Sequence, residues 1–194
     1  LSKKENRQGR LFVVSAPSGT GKTTLVARLL KEMPDIEKSL SCTTRPPRAG
    51  EKDGVDYRFI DQKMFQEMIN QELFFEWEEV HGFLYGTPEA PLLERRKDGK
   101  DTVLDIDVRG ALNLKKRFPD SCLVFLMPPS LEVLEERLRK RRTEAEEILR
   151  RRLENARREL GEKEKFDYAI INDDLEKAYQ ELKTIVVKER REKA

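Results

Sequence analysis

The stretch APSGTGKTT at residues 16–24 narrows what this chain can fold into more than any other segment. It lies between a short apolar run, Leu11 to Val14, and a segment in which Leu25, Val26, Leu29, Leu30 and Met33 recur at helical spacing until Pro34 ends it. The pattern G-x-x-x-x-G-K-[ST] in such a strand–loop–helix setting is a phosphate-binding loop. Small residues and glycines at Ser18, Gly19 and Gly21 let backbone N–H groups turn inward around a triphosphate, at the positive end of the following helix. Lys22 adds a mobile charge for the outer phosphates, and the Thr23 hydroxyl is a ligand type that magnesium accepts. Ala16, Pro17, Thr20 and Thr24 complete the loop. Ala16 stands where the pattern has Gly, a position that needs compactness more than a positive φ. An ordinary glycine-rich turn is the alternative reading, and it leaves Lys22, Thr23 and the flanking elements unexplained.

Further strand-length apolar runs occur at Val103 to Ile106, Leu123 to Met127 and Tyr168 to Ile171, each followed by a helix-like segment. Strands alternating with helices predict a parallel sheet with helices on both faces, and a weaker fifth strand is expected around Lys38 to Cys42. Residues 45–90 break the rhythm. RPPRAGEKDG reads as a loop, VDYRFI as a strand, and Asp61 as the N-cap of a helix carrying Phe65, Met68 and Ile69. In LFFEWEEV, alternation puts Leu73, Phe75 and Trp77 on one face and Glu76 on the other. This is an inserted lobe, mostly strand. A second insertion, residues 129–165, is arginine-rich and reads as helical throughout.

A chain of 194 residues suits one core with insertions better than two domains. No run approaches the length of a membrane helix, and the N-terminal residues are basic and polar without an apolar signal core, so a cytoplasmic protein is expected. Lys and Arg number 39 against 37 Asp and Glu, a balance that argues against a nucleic-acid partner. Cys42 and Cys122 lack any metal or disulfide spacing and read as buried small residues. His81 is the only histidine, which excludes multi-histidine metal sites. In VLDID, Asp105 and Asp107 share a face at the C-terminal end of a core strand, where open parallel sheets bind ligands; N-caps for the next helix are the alternative.

From APSGTGKTT through SCTTRPPRAGE, DYRF, FFEW, YGTP and LDIDVRGA to the arginine-rich helices and IINDDLEKA, the chain resembles the guanylate kinases of the nucleoside monophosphate kinase family. The resemblance implies an α/β P-loop kinase core with a five-stranded parallel sheet (residues 8–40, 91–128 and 159–194), a GMP-binding lobe (41–90) and a helical lid (129–158). It implies ATP and magnesium as cofactors, transfer of the terminal phosphoryl group of ATP to GMP, with dGMP a further candidate acceptor, and no obligate protein partner. Arg45 and Arg48 match the pair that holds the GMP phosphate, aided by Tyr57 and Tyr85; guanidinium forks beside phenols suit a phosphate dianion. Ser41, Glu76 and Thr87 match the guanine-reading groups, with Asp107 near the nucleotide and Asp105 ordering magnesium through water. Arg137, Arg141 and Arg152 match lid arginines that act on the transferring group, and Asn172 a position near the adenine. Two departures stand out: Arg142 where many relatives have Gly, and Arg109 where Gln is frequent. A related P-loop kinase with another small phosphorylated acceptor, and a non-catalytic module binding phosphorylated proteins, are the alternatives. The complete ATP-side motif weighs against the module, and Glu76 with the arginine pair weighs against the other acceptor.

Overall fold

The computed structural model of the chain describes residues 7–80, 82–140 and 146–192. In chain order the elements are β1 (Leu11–Ser15), α1 (Lys22–Glu32), β2 (Ile36–Lys38), β3 (Cys42–Thr43), β4 (Arg58–Phe59), α2 (Gln62–Asn70), β5 (Phe74–Val80), β6 (Phe83–Pro88) and α3 (Glu89–Lys97). They continue with β7 (Asp101–Asp105), α4 (Val108–Arg117), β8 (Cys122–Met127), α5 (Leu131–Lys140), α6 (Glu146–Leu160), β9 (Tyr168–Ile171) and α7 (Leu175–Arg191). Among the described residues no helix is long and apolar enough to cross a membrane.

The main sheet is parallel, with strand order β2-β7-β1-β8-β9. Successive strand side chains point to opposite faces, so an unbroken apolar run buries two surfaces at once. Phe12 and Val14 of β1 join Val103, Val124 and Leu126 against α1 and α7, through Leu25, Leu29, Tyr179 and Leu182. Leu11 and Val13 join Leu104, Leu123 and Phe125 on the other face, against Leu92 of α3 and Ala111 and Leu114 of α4. The smaller sheet, β4-β3-β6-β5, packs Cys42 and Phe74 onto Phe65 of α2. Asp61 caps α2 by accepting from the Met64 N–H at 2.7 Å. Gly86 is required by this packing, because a Cβ there would lie 2.8 Å from Phe74 Cδ1. In the second insertion, Leu134 and Leu138 of α5 meet Leu149 and Ala156 of α6.

Three expectations need correction. The fifth core strand is Ile36–Lys38, and Cys42 belongs instead to the smaller sheet; Ser39 leaves the ladder with a last bond from its N–H to the Val103 carbonyl. VDYRFI contributes only Arg58–Phe59 as strand, because the turn before it returns the Gly54 N–H to the Tyr57 carbonyl. Leu73 lies outside β5 and is exposed, since pairing begins at Phe74 and a register shift between Phe74 and Glu76 disturbs simple alternation. Phe75 packs beside Phe118 on the main core, whereas Trp77 is half exposed. Both cysteines are buried free thiols. His81 lies outside the described residues.

Charged contacts tie α7 to the strand edge opposite the loop of residues 16–24. Asp101 is 2% exposed, accepts the Arg10 N–H at 2.8 Å and pairs with Arg190 Nε at 2.7 Å, with Arg7 alongside. Arg10 in turn pairs with Glu189, whose carboxylate also accepts from the Tyr168 hydroxyl at 2.6 Å. Asp101 is the buried member of this cluster, and removing it leaves the Arg10 N–H and the partly buried Arg190 without their anion. Asp101→Ala should therefore cost about 3 kcal/mol, lowering the denaturant midpoint of unfolding. A loss below about 1 kcal/mol would show that the cluster is water-screened.

Candidate active site

α1 leaves β1 toward one face of the sheet, and α4 leaves the adjacent β7 toward the other. A crevice necessarily opens between the carboxyl ends of such a pair. Here it is a cleft of about 380 Å³, walled by Ala16, Pro17, Ser18, Gly19, Thr20, Gly21, Lys22, Thr23 and Thr24 on one side. Ser41, Arg48, Tyr57, Glu76 and Tyr85 line it from the smaller sheet, Asp105 and Asp107 from β7 and its exit, and Arg152, Asn155 and Glu159 from α6.

The loop turns at Gly19 and Gly21, with φ of 92° and 97°, values that side chains other than Gly rarely adopt. Thr20 is buried, its hydroxyl donating to the Pro17 carbonyl at 2.7 Å. Lys22 reaches across the cleft floor to Asp105 Oδ1 at 2.7 Å and to the Ile106 carbonyl at 3.1 Å. Asp107 lines the cleft and also caps α4, accepting the Gly110 N–H at 2.8 Å. The capping alternative therefore holds for Asp107.

At the other end Glu76 and Thr87 are cross-strand partners, and the Thr87 hydroxyl donates to Glu76 Oε1 at 2.6 Å. Ser41 Oγ lies 3.4 Å from the Thr87 hydroxyl, extending the row. Glu76 stands over the first turn of α4, where a Cβ on Gly110 would come within 3.0 Å of its Oε2. Burial pushes the Glu76 carboxyl up to about 7; the Thr87 bond pulls it partly back, and the negative Asp107 adds to the rise. Glu78 is raised to about 7 as well, by burial and then by the hydrogen bond it shares with Asp107.

Arg45 is 8% exposed and sits behind the wall rather than in it. Both its terminal nitrogens bond Glu51 at 2.9 Å, and its Nε donates to the Tyr85 hydroxyl at 3.2 Å. Arg48 does face the cleft, while its N–H also bonds Glu51 at 2.7 Å. Burial holds the Tyr57 phenol up at about 12, so it remains a donor. Arg137 donates to the Asn172 carbonyl at 3.0 Å, and the Asn172 amide donates to the Thr20 carbonyl at 2.6 Å. Arg141 and Arg142 lie outside the described residues. Arg109 is exposed, 3.9 Å from Glu78.

Two residues escaped sequence reasoning. Glu51 is the bidentate partner of Arg45, six positions on in a loop without periodicity. Glu159 is raised to about 7, by burial first, with Lys22 opposing and Asp107 adding. Its signal was its spacing, since Arg152, Asn155 and Glu159 fall at helical intervals on one stripe of α6.

A phosphate-binding loop, a lysine–carboxylate pair on the cleft floor and a second polar end within reach define a P-loop nucleotide kinase. The family model for guanylate kinase matches residues 8–189. The chain is 50% identical over 183 residues to a guanylate kinase of Syntrophotalea carbinolica, covering 94% of this chain and 87% of that one. It is 48% identical to a guanylate kinase of Myxococcus xanthus, covering 94% and 88%. Among solved structures it matches the crystal structure of guanylate kinase from Anaplasma phagocytophilum with a TM-score of 0.77 and 33% identity, over 96% of this chain and 87% of that chain. The chain belongs to the guanylate kinase family.

If the Thr87 hydroxyl stabilises the ionised form of Glu76, Thr87→Val should move the Glu76 carboxyl higher still. Carbon-13 NMR of the Glu76 side chain reads this directly. The unaltered protein should titrate near 7; an unmoved midpoint in the variant would exclude the hydroxyl from the balance.

Proposed function

We infer that the chain transfers the terminal phosphoryl group of ATP to GMP, giving ADP and GDP, with the acceptor held by residues of the smaller sheet and ATP by residues 16–24. The observation that carries this reading is that the phosphate-binding loop opens into the same cleft as Glu76 and Ser41, with the buried Thr87 hydroxyl behind them bonded to Glu76. Residues 41–90 would then form the GMP-binding lobe, 129–158 the lid, and the remainder the core. Neither alternative is favoured, because the chain's relatives are themselves guanylate kinases.

In this reading the loop N–H groups and Lys22 bear on the ATP phosphates. Lys22 moves from Asp105 toward the triphosphate, which outbids a single carboxylate in charge. Thr23 and Asp105 offer the hard oxygen donors magnesium takes, and among the described residues no cluster of three acidic, His or Cys side chains would hold a metal by itself. That donor set fits an ion bound largely through phosphates and water. Bound there, magnesium supplies charge neutralisation on the outer phosphates.

GMP lies with its phosphate toward Arg48, Tyr57 and Tyr85, and Glu51 keeps the Arg45 fork oriented behind them. The acceptor oxygen is already ionised at neutral pH, so no general base is required. It attacks the terminal phosphorus in line as the bond to the bridging oxygen of ADP breaks, and no covalent enzyme intermediate forms. Arg137, Arg141 and Arg152 neutralise the migrating group as α5 and α6 close, which also keeps water from competing. In this reading the reaction takes place in the cytoplasm, within purine nucleotide metabolism.

Guanine presents N1–H and the N2 amino group as adjacent donors, which the Glu76 carboxylate accepts together, while O6 accepts from Ser41; the Thr87 hydroxyl, matched to the guanine-reading groups by the resemblance, gives its one proton to Glu76. Adenine reverses this edge. Sites built on such buried bonds discriminate by roughly 10⁴ in favourable cases.

Two measurements test the reading. Lys22→Ala should lower kcat by about 10²- to 10³-fold in a folded protein, and more than a tenth of the activity remaining would remove Lys22 from the reaction. The second is kcat/KM for GMP, dGMP, AMP, CMP and UMP across pH. Below about 7 Glu76 is mostly protonated and loses an acceptor oxygen, so binding guanine must release a proton and kcat/KM for GMP falls as pH drops. Glu76→Gln should lose this inflection, keep any belonging to the GMP phosphate, and lose much of the preference over AMP. An unchanged profile and preference would take Glu76 out of base recognition.

A further inference from the structure

Asn172 follows β9 and is 4% exposed. Its polar groups reach three different parts of the molecule. The backbone N–H donates to the Met127 carbonyl at the end of β8 at 2.8 Å, the backbone carbonyl accepts from Arg137 of α5 at 3.0 Å, and the side-chain nitrogen donates to the Thr20 carbonyl at 2.6 Å. Only the amide nitrogen can make this last bond, because a carbonyl oxygen accepts and never donates.

The bond to Thr20 bears on the loop's direction. In a planar trans peptide the C=O of one residue and the N–H of the next point oppositely, and the chain has no cis peptide among the described residues. Drawing the Thr20 carbonyl toward Asn172 therefore turns the Gly21 N–H away from Asn172. Gly21 lines the cleft, whereas Asn172 lies outside its lining. The packing leaves little slack. A Cβ on Gly21 would lie 2.6 Å from the Asn172 nitrogen, and one on Gly19 would lie 2.9 Å from Leu138 and 3.2 Å from Leu134 of α5. Side chain and helix thus press on the outer side of the same loop.

We propose that Asn172 is a positioning residue that aims the Gly21 N–H at the nucleotide's phosphates and, through its carbonyl, ties Arg137 of the lid helix to the loop. It acts through those groups. This rests on the reading of residues 16–24 as the triphosphate site. Without the side-chain donor, the Thr20 carbonyl has a buried acceptor to satisfy, and the peptide between Thr20 and Gly21 is free to rotate away from the phosphates.

Inorganic tripolyphosphate separates the two roles, because it carries the phosphates without a base. Asn172→Asp keeps the shape but replaces the donor with an acceptor, and Asn172→Ala removes the group. In both variants the inhibition constant of tripolyphosphate against ATP and the KM for ATP should weaken together, by about 10- to 100-fold, with KM for GMP within twofold of the parent. Weakened ATP with unchanged tripolyphosphate inhibition would mean a base contact and overturn the proposal. A lowered melting temperature with unchanged kinetics would make Asn172 merely structural and overturn it too. If the parent enzyme itself showed no competition between tripolyphosphate and ATP, the assignment of residues 16–24 would fail instead. Should Asn172→Asp not fold, the same comparison on Asn172→Ala decides.

Discussion

The cleft depends on one constraint, the burial of β1 on both faces. Its side chains alternate between two apolar clusters, so the strand is held from above and below and delivers its last residue into the loop at a fixed place. A strand packed on one face only could slide or tilt. Because the loop starts from a clamped strand and runs directly into α1, its tight turns, which Gly19 and Gly21 permit, are also held by their surroundings. Asn172 and α5 press on it from outside, Lys22 and Asp105 from within.

Electrostatically the cleft is divided. Around Lys22 a cation and a carboxylate meet at 2.7 Å and compensate each other. Around Asp107, by contrast, Glu76 and Glu78 are raised to about 7, each by burial first and with Asp107 adding to the rise; Glu159, between the two regions, is raised likewise by burial with Lys22 opposing. For a carboxyl raised in the folded state, ionisation costs stability. The cost is absent below the unfolded value near 4.5 and complete above about 7. Perturbed groups gathered in a cleft mark sites whose charges are kept for a ligand. In the proposed reading, donors on guanine would supply to Glu76 what the protein leaves out.

Arg45 illustrates a different economy. Its guanidinium is buried, but Glu51 and the Tyr85 hydroxyl occupy the fork, so the charge is oriented before any ligand arrives. Long side chains lose much rotamer freedom when fixed. Here that loss is borne on folding, and in the proposed reading a phosphate meeting Arg48 and Tyr57 would find its surroundings already in place.

The sequence alone determined the elements whose physics is local. Apolar runs of strand length marked β1, β7, β8 and β9, the spacing of Leu25, Val26 and Leu29 marked α1, and Asp61 marked the start of α2, because burial on a sheet and capping of a helix are written within a few residues. The guanylate kinase resemblance was carried by short motifs in order, which need no structure to be seen. The fifth strand was blurred with β3, since three or two paired residues leave no period to detect. The shift between Phe74 and Glu76 was equally hidden, because a bulge depends on the partner strand. What only the tertiary structure decided is which distant groups meet: Glu51 with Arg45, Asn172 with Thr20, Glu159 with the floor around Lys22. Spacing on α6 hints at Glu159 and a motif at Asn172, but the pairings themselves carry no local signature, for they come from loops and helices that the two-sided sheet brings together from positions far apart in the chain.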